Sequence, residues 1–354
     1  MDPFVYTGHA YRVLFGSGTI EELPAEVTRL GLRRVLVLAT PEQASSARAL
    51  AERLAPAAIG VFAGAAMHTP VEVTDKAMQQ VVAERVDGLV AVGGGSTTGL
   101  GKAIALRTDL PQIVVPTTYA GSEMTPILGE TRDGLKVTQR SPKVLPEVVI
   151  YDVDLTLSLP PALSGTSGIN AIAHAVEAAY AQDRNPVVTL MAVEGVRALF
   201  GALPRIVEAP RDTEARAQAL YGAWLCGICL GSVGMALHHK LCHTLGGTFD
   251  LPHAETHTIL LPHAVAYNAA HARDALQRFA TALDVPDFAQ ALFDLAGRVG
   301  AKRALKDIGM PQDGIARAAA QALANPYWNP RPLELSAVTR LIERAFAGLP
   351  PASD

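Results

Sequence analysis

The sequence has few cysteines, no block of like charge and, as we read it, no apolar run that reaches the length needed to span a bilayer. Three cysteines in 354 residues are too few for a disulfide framework, which indicates a reducing compartment. The net charge of -4 comes from interspersed acidic and basic residues, so neither a nucleic acid nor a membrane is expected as a partner. The N-terminal MDPFVYTGHAYRVLFG lacks a basic region followed by an apolar core, and we therefore expect a cytoplasmic protein.

The chain contains enough apolar residues for two packed domains, since 49% of it is hydrophobic. Up to about residue 155, helical patterns alternate with the short apolar runs RRVLVLAT, AAIGVFAG, VDGLVAVGGGS, LPQIVVPTT and PEVVIYD. This alternation predicts a Rossmann-like parallel sheet with helices on both faces. After Pro160 and Pro161 only Ala/Leu-rich helical patterns follow. We predict an α/β domain over residues 1–157 and an all-helical domain over 158–354, with the active site in the cleft between them.

The C-x-x-C motif of Cys226 and Cys229 suggests redox chemistry. Its surroundings, YGAWLCGICLGSVGMALHH, are almost wholly apolar and lack the basic neighbours that stabilise a thiolate. We interpret the motif as part of a buried helix.

A glycine-rich turn follows one of the predicted strands. In LVAVGGGSTTGLGKAIAL the strand runs into Gly93, Gly94, Gly95 and Ser96 and then into a helix. Glycine lets the backbone approach a phosphate, and the amides at a helix start offer donors and the positive end of the helix dipole. The motif is neither G-x-G-x-x-G nor a P-loop, so a tight turn without a ligand is the alternative.

A second loop favours the nucleotide interpretation. VVPTTYAGSEMTP also leaves a predicted strand, and it presents the small hydroxylic residues Thr117, Thr118 and Ser122. Hydroxyl groups suit hydrogen bonds to phosphate or ribose. Two such loops at the ends of adjacent strands predict a dinucleotide crevice.

Histidines are concentrated in HHKLCHTLGGTFDLPHAETHTILLPH. His239 and His243 are one helical turn apart, and the following LGG can end the helix and return the chain so that His253 approaches the same point. With His174, the residues His239 and His253 resemble a metal-ligand set. We interpret the other three histidines of this stretch, His238, His257 and His263, as structural.

The stretch SGINAIAHAVEAAY places Asn170 and His174 four residues apart, and therefore on one face of a predicted helix. A metal-binding pair at this spacing more usually combines a carboxylate with an imidazole. Here the first position is a neutral amide, which is a weaker donor.

These motifs resemble the iron-containing (group III) alcohol dehydrogenase family, and within it the chain is most similar to the maleylacetate reductases. The resemblance extends from FGSGTIEELP to NPYWNPRPL. It implies a dehydroquinate synthase-like architecture, NADH or NADPH as cofactor and a homodimer. It also implies reduction of the C=C bond of maleylacetate, and of chloro-substituted forms, to 3-oxoadipate in the degradation of aromatic compounds.

The resemblance also assigns roles to single residues. The family's diphosphate loop G-G-G-S-x-x-D-x-A-K falls on Gly93 to Lys102, with Gly99 where Asp is expected. The family's threonine pair falls on Thr117 and Thr118, and its cofactor-contacting lysine on Lys136. Its metal ligands fall on Asn170, His174, His239 and His253, and its histidine near the nicotinamide falls on His243.

The resemblance leaves the metal open. Three neutral imidazoles can hold Zn²⁺, but the missing anionic ligand weakens the binding of Fe²⁺ or Zn²⁺. We favour a metal-free enzyme, because the enolate formed in this reduction is a weaker base than an alkoxide and can be stabilised by hydrogen bonds or by a protonated imidazole. His243 and His174 are the candidates for that role. Lys240, Arg331 and Tyr327 are candidates for binding the small dicarboxylate substrate, with a surface location as the alternative for each.

The position that follows the early strand of RRVLVLATPEQ bears on the choice of cofactor. A carboxylate there commonly binds the adenosine ribose and repels the 2′-phosphate of NADPH. Thr40 stands there instead, so we expect NADH and NADPH to be used with kcat/KM values within roughly tenfold. The alternative is that Glu42 lies against the ribose and restores a preference for NADH.

Three other functions compete. One is a metal-dependent alcohol or aldehyde dehydrogenase of the same family, in which Asn170 still ligates Fe or Zn. A sugar-phosphate cyclase is less favoured, because neither its Lys/Arg-rich phosphate pocket nor its full zinc ligand set is found in the sequence. The third, a non-catalytic nucleotide-binding protein, does not account for the histidines.

Overall fold

The chain folds into two units in the computed structural model, which describes residues 3–132, 135–325 and 327–353. Gly8–Leu159 is an α/β unit, and the chain from Pro160 onward forms a helical unit. The segment that ends at Thr7 groups with the helical unit, whereas the sequence-based division at residue 157 assigned it to the α/β domain.

The α/β unit is built on a six-stranded parallel sheet. The strands of the chain are β1 (Arg12–Gly16), β2 (Val35–Leu38), β3 (Ala58–Phe62), β4 (Gly88–Gly93), β5 (Gln112–Pro116), β6 (Ile127–Arg132), β7 (Leu135–Arg140) and β8 (Val148–Asp152). The sheet has the order β1-β8-β5-β4-β2-β3, and β6 and β7 form a separate antiparallel hairpin. All five apolar runs form strands of the sheet, which confirms the predicted fold class.

The strands β2, β4, β5 and β8 are buried on both faces because helices cover both sides of the sheet. The helices of this unit are α1 (Leu23–Arg29), α2 (Ala44–Arg53), α3 (Val71–Ala83) and α4 (Gly95–Thr108). Val35 and Val37 pack with α1 and α2, whereas Leu36 and Leu38 pack with α3 and α4. Successive side chains of a strand point to opposite faces, so the VLVL sequence of β2 supplies apolar groups to both layers.

The helical unit contains no strand among its described residues, as predicted. Its helices are α5 (Pro161–Ala179), α6 (Pro186–Glu208), α7 (Thr213–Ser232), α8 (Leu237–Phe249), α9 (His253–Asn268), α10 (Arg273–Leu283), α11 (Phe288–Arg298), α12 (Gly314–Leu323) and α13 (Leu335–Ala347). Pro161 starts α5 at a position where its missing N–H costs nothing. From Ser164 onward α5 is buried throughout, and it packs against α6, α7 and α9.

Helix α6 is long and apolar enough to cross a membrane, a feature that the sequence analysis did not detect. In its most apolar window, 44% of the residues are buried inside the protein, and Val188, Val196 and Leu199 belong to the buried face. Helices α7 and α8 meet the same criterion only as one span, although they are bent by 94°. Core helices of globular proteins satisfy this criterion too, so it is weak evidence for a membrane span.

Candidate active site

The strand order identifies the edge of the sheet at which a nucleotide binds. From β2 the chain continues to β3 on one side, and from β4 it continues to β5 on the other. Open parallel sheets bind ligands beyond the carboxyl ends of the strands where the order reverses. Here that position lies between β2 and β4, so Thr40 and the loop at Gly93 flank the crevice.

The glycine turn at the end of β4 leaves no room for side chains. Gly93 has φ +152°, and an added Cβ would lie 2.5 Å from Thr97 Oγ1 and 2.7 Å from Gln43 Oε1. At Gly94 it would lie 2.8 Å from Thr118 Cγ2. Helix α4 begins at the next residue, Gly95, so its first amides remain available to an anion. This geometry fits a diphosphate, with Ser96 in the first turn of the helix.

The threonine loop lies directly beside the glycine turn. Gly93 pairs with Pro116 in the sheet, and the Thr117 amide donates to the Gly93 carbonyl at 3.0 Å. Gln43 Nε2 donates to Thr117 Oγ1 at 3.1 Å. The hydroxyl of Ser122 is buried and has no hydrogen-bond partner among the described residues. The structure therefore brings together the two loops that the sequence predicted to be adjacent.

Lys102 supports the cofactor loops from inside the protein. It is 1% exposed, and its Nζ donates to the carbonyls of Ser122, Thr125 and Ile127 at 2.6 to 2.9 Å. Burial lowers the pKa of the ammonium, to about 7, and the charge of Glu123 opposes that shift. Lys102 thus ties α4 to the loop after β5, and its amino group is used within the protein rather than on a phosphate.

Gly99 replaces the family's aspartate for a visible reason. A Cβ at this position would collide with the hydroxyl of Thr69. Thr69 is buried and has a positive φ of 48°. Its carbonyl accepts a hydrogen bond from the Thr131 amide at 3.1 Å, which links this segment to β6. A side chain at position 99 would require Thr69 to move.

Two other predicted cofactor residues lie outside the glycine turn. Thr40 follows β2 and precedes a short 3-10 turn, Pro41–Gln43. The pKa of the exposed Glu42 carboxyl is lowered by its own backbone N–H and by a hydrogen bond from the Thr40 side chain, so a carboxylate does stand beside Thr40. Lys136 lies in β7, but its side chain is outside the described residues, and its role stays a prediction.

The predicted helix face on α5 meets the start of α8. His174 Nδ1 lies 2.8 Å from His239 Nε2. On its other side, His239 Nδ1 lies 2.7 Å from the Glu177 carboxylate. Glu177 is three residues after His174 and fully buried, and the sequence analysis missed it. The sequence feature that could have identified Glu177 is its spacing from Asn170 and His174, since the three residues lie at i, i+4 and i+7 on one helix face.

His257 occupies the centre of the histidine cluster, although its sequence suggested only a structural role. Its ring centroid lies 4.3 Å from that of His253, 4.8 Å from His238, 5.1 Å from His239 and 6.1 Å from His174. Burial is the main cause that lowers its pKa well below the usual value. His257 is therefore a neutral spacer between α5, α8 and α9.

His238 and Cys242 form the buried side of this cluster. His238 Nε2 lies 3.0 Å from His257 Nδ1 and 3.6 Å from the Cys242 thiol. Candidate ligand atoms of these three residues lie within 4.8 Å of one another. However, coordination through these atoms would leave His238 Nδ1 and His257 Nε2 as N–H donors, and both are buried without partners among the described residues. Metal ligands normally have such partners.

The positions of the family's metal ligands lie on α5, α8 and α9. The facing nitrogens of His174 and His239 are 2.8 Å apart and form a hydrogen bond. Asn170 supplies no charge, and its buried Oδ1 has no partner among the described residues. His253 contacts this pair's neighbour, His257.

The three candidates for substrate binding separate into two places. The Lys240 ammonium lies 5.5 Å from the centre of the Tyr327 ring. The Tyr327 hydroxyl is buried and unpartnered in the described part of the chain, and the pKa of this phenol is raised by burial and by the charges of Glu177 and Tyr267. Arg331 instead stacks on Tyr267 and donates to its carbonyl at 3.2 Å. Tyr267 lies ten residues, or about 15 Å, along α9 from His257, so the structure does not bring Arg331 to the cluster.

The C-x-x-C motif lies inside α7. No basic side chain among the described residues contributes to the pKa shift of either thiol. Cys226 and Cys229 are fully buried. Burial raises the pKa of the Cys229 thiol to about 12 and that of the Cys226 thiol well above its usual value. Both thiols are therefore protonated and packed, as the apolar sequence predicted.

Both units of the chain match one known protein family. Residues 10–153 match the family description "Iron-containing alcohol dehydrogenase", and residues 164–346 match "Fe-containing alcohol dehydrogenase family, C-terminal". The chain belongs to the iron-containing alcohol dehydrogenase family. As a member, it is an oxidoreductase that uses a nicotinamide cofactor.

Similar proteins in this family cover the whole chain. Maleylacetate reductase of Rhizobium sp. strain MTP-10005 is 57% identical over 351 residues, which are 99% of this chain and 100% of that protein. The crystal structure of maleylacetate reductase from Agrobacterium tumefaciens is 57% identical, covers 99% of this chain and 100% of its own, and has a TM-score of 0.96. Sulfoacetaldehyde reductase from Bifidobacterium kashiwanohense, solved with NAD+, is 24% identical over 98% of this chain and 100% of its own with a TM-score of 0.89, a likeness of fold alone.

Proposed function

We propose that this member of the family is a maleylacetate reductase, which reduces the C=C bond of maleylacetate to give 3-oxoadipate. The observation that carries the proposal is full-length identity of 57% to proteins of that name. The departure of Asn170 from the metal-binding pattern supports it, because this reaction can proceed without a Lewis acid.

The chemistry is the addition of hydride and a proton across a C=C bond conjugated to a ketone. A bound nicotinamide cofactor supplies the hydride, which adds to the alkene carbon farther from the ketone. The ketone then carries negative charge as an enolate, and a proton added at the carbon next to it completes 3-oxoadipate. The site must therefore stabilise an oxyanion and deliver one proton.

The helical unit offers groups for both tasks. His243 is the exposed member of the cluster, one turn after His239 on α8, with ring centroids 6.3 Å apart. His174 is buried and held by His239. Lys240 supplies a positive charge, and the Tyr327 hydroxyl, which has no hydrogen-bond partner among the described residues, supplies a donor for a substrate carboxylate. We assign oxyanion stabilisation and proton delivery to His243 and His174, and carboxylate binding to Lys240 and Tyr327.

The proposed function is tested directly by NADH oxidation. Purified protein with maleylacetate should oxidise NADH and form 3-oxoadipate in equal amounts. Turnover of simple alcohols or aldehydes, without turnover of maleylacetate, would instead identify a metal-dependent dehydrogenase of the same family.

We predict that activity does not depend on a bound metal. Purified protein should contain iron and zinc well below one atom per chain and should retain its activity after EDTA treatment. Asn170→Asp restores an anionic donor and should increase the affinity for Zn²⁺. Elemental analysis before and after dialysis measures the metal content of the wild type and the Zn²⁺ retained by the variant. Stoichiometric metal whose removal abolishes turnover would contradict this prediction.

Glu42 makes a testable contribution to cofactor choice. Its carboxylate stands beside Thr40 at the carboxyl end of β2, where negative charge repels the 2′-phosphate of NADPH. We therefore propose that NADH is the better substrate, while the wild-type ratio of kcat/KM values stays within roughly tenfold. Glu42→Gln should lower the ratio of kcat/KM with NADH to kcat/KM with NADPH by about threefold or more. Glu22→Gln, which changes an exposed carboxylate elsewhere in this unit, should leave that ratio unchanged. An unchanged ratio would show that Glu42 does not face the ribose.

A further inference from the structure

Glu177 is a buried carboxylate at the junction of α5 and α8. Its Oε1 accepts from the His238 amide at 2.7 Å. Its Oε2 accepts from the Ala236 amide at 2.9 Å, from the His239 amide at 3.3 Å, and lies 2.7 Å from His239 Nδ1. An anion at the start of a helix satisfies amides that lack an intrahelical partner. Glu177 therefore anchors the thirteen-residue helix α8.

The same contacts decide which nitrogen of His239 carries hydrogen. Backbone amides can only donate, so Glu177 Oε2 already acts as the acceptor of two hydrogen bonds. His239 Nδ1 faces that oxygen and must therefore be the N–H of the ring. In the neutral ring, His239 Nε2 is consequently an acceptor.

The tautomer of His239 determines the tautomer of His174. His174 Nδ1 lies 2.8 Å from His239 Nε2, a distance at which one nitrogen must donate and the other accept. Because His239 Nε2 accepts, His174 Nδ1 must donate. His174 Nε2, like His239 Nε2, then carries no hydrogen when both rings are neutral, and it is the one of these two nitrogens that this hydrogen bond does not use.

We infer that Glu177 is a positioning residue of the active site, which fixes the tautomer of His239 and, through it, that of His174. A fixed tautomer matters because a histidine that takes part in proton delivery must present the correct nitrogen to its partner. A buried carboxylate that orients a catalytic histidine has a large effect in serine proteases, where the amide replacement costs about 10⁴ in kcat. The kinetic part of this inference rests on the proposed function, whereas the tautomers do not.

Neutron diffraction from deuterated wild-type crystals tests the tautomers without any substitution. The crystals should be kept near pH 8. We expect deuterium on Nδ1 of both His239 and His174, and none on Nε2 of either ring. Deuterium on His239 Nε2 with none on Nδ1 would overturn the inference.

Two variants of Glu177 test its effect on the reaction. Glu177→Gln keeps the length of the side chain but replaces an acceptor oxygen with a donor, so it should lower kcat by about 10²-fold or more. Its KM for NADH should change less than about threefold. Glu177→Asp keeps the acceptor-only carboxylate and should retain more activity than the Gln variant. A purely structural anchor predicts the reverse order, because Asp is too short to reach all its partners.

Controls separate this inference from loss of structure and from failure of the proposed function. Glu194→Gln removes a carboxylate that pairs with Arg197 on the surface of α6, and its kcat should equal that of the wild type. Thermal melts show whether each variant is folded. If the wild type does not turn over maleylacetate, the proposed function fails, and the neutron map still decides the tautomers. If Glu177→Gln is folded and its kcat is within threefold of the wild type, Glu177 is not a positioning residue.

Discussion

Lys102→Met is expected to abolish detectable NADH binding and to lower the melting temperature of the protein by roughly 10 °C. Methionine fills a similar volume but offers no hydrogen-bond donor. The carbonyls of Ser122, Thr125 and Ile127 and the Thr125 hydroxyl, which lies 2.9 Å from Nζ, would then lose their donor. Binding by isothermal titration and melting by circular dichroism measure the two effects.

The size of this effect follows from the burial of the group. Removing one partner from a buried charged network costs about 3–5 kcal/mol, and in a unit of this size each kcal/mol shifts the melting temperature by about 2–4 °C. Glu123 would also lose the favourable charge of Lys102, although it keeps the hydrogen bond from the Tyr151 hydroxyl at 2.6 Å. NADH binding fails because Ser122 and the rest of its loop are no longer fixed against α4.

Lys143→Met is the matched control, since it makes the same change at an exposed lysine. The Lys143 side chain is 49% exposed and its ion pair with Asp109 is 3.6 Å long, so its loss should cost less than about 1 kcal/mol. If Lys102→Met binds NADH like the wild type, the lysine does not support the cofactor loops. If both variants lose NADH binding, the loss results from removing a positive charge anywhere in this unit and not from the hydrogen bonds of Lys102.

The sheet could be predicted from the sequence because its central strands are apolar on both faces. β2 and β5 are fully buried, and such strands appear as continuous apolar runs. β1 was missed since it lies at the sheet edge and alternates exposed with half-buried residues. The hairpin of β6 and β7 was missed because its sequences, ILGETR and LKVTQR, are largely polar.

The candidate site was predictable where it depends on local spacing. Asn170 and His174 share a helix face by their separation alone, and the glycine turn directly follows its strand. Contacts between helices were not predictable. The sequence does not show that α8 brings three amides and an imidazole to Glu177. The family's diphosphate loop includes Lys102, but in the structure its amino group donates to carbonyls of the protein.

The histidines show the same limit. His257 was expected to be a mild structural position, but it contacts four other histidines of the cluster because α9 runs beside α8. Removing its ring would open a cavity at the centre of the site, so it is unsuitable as a control. Arg331 was expected near the substrate, and the packing of its segment against Tyr267 places it toward the other end of α9.

His243→Ala is expected to lower kcat by about 10²- to 10⁴-fold, the usual contribution of a group that transfers a proton in the transition state. Among the histidines at the site, His243 is exposed whereas His174 and His239 are buried, so a substrate reaches it most readily. NADH affinity should change little because the cofactor loops belong to the α/β unit. Stopped-flow reduction with saturating NADH isolates this step from cofactor binding.

His271→Ala is the matched control, because His271 is exposed near the start of α10 and belongs to no part of the cluster. Its kcat should equal that of the wild type. If His243→Ala instead raises KM for maleylacetate at an unchanged kcat, His243 binds the substrate equally in the ground and transition states. The proton would then have to come from His174, whose Nε2 would first have to be protonated because the Glu177–His239 pair leaves it without hydrogen in the neutral ring. Replacement of His174 would then be expected to stop turnover.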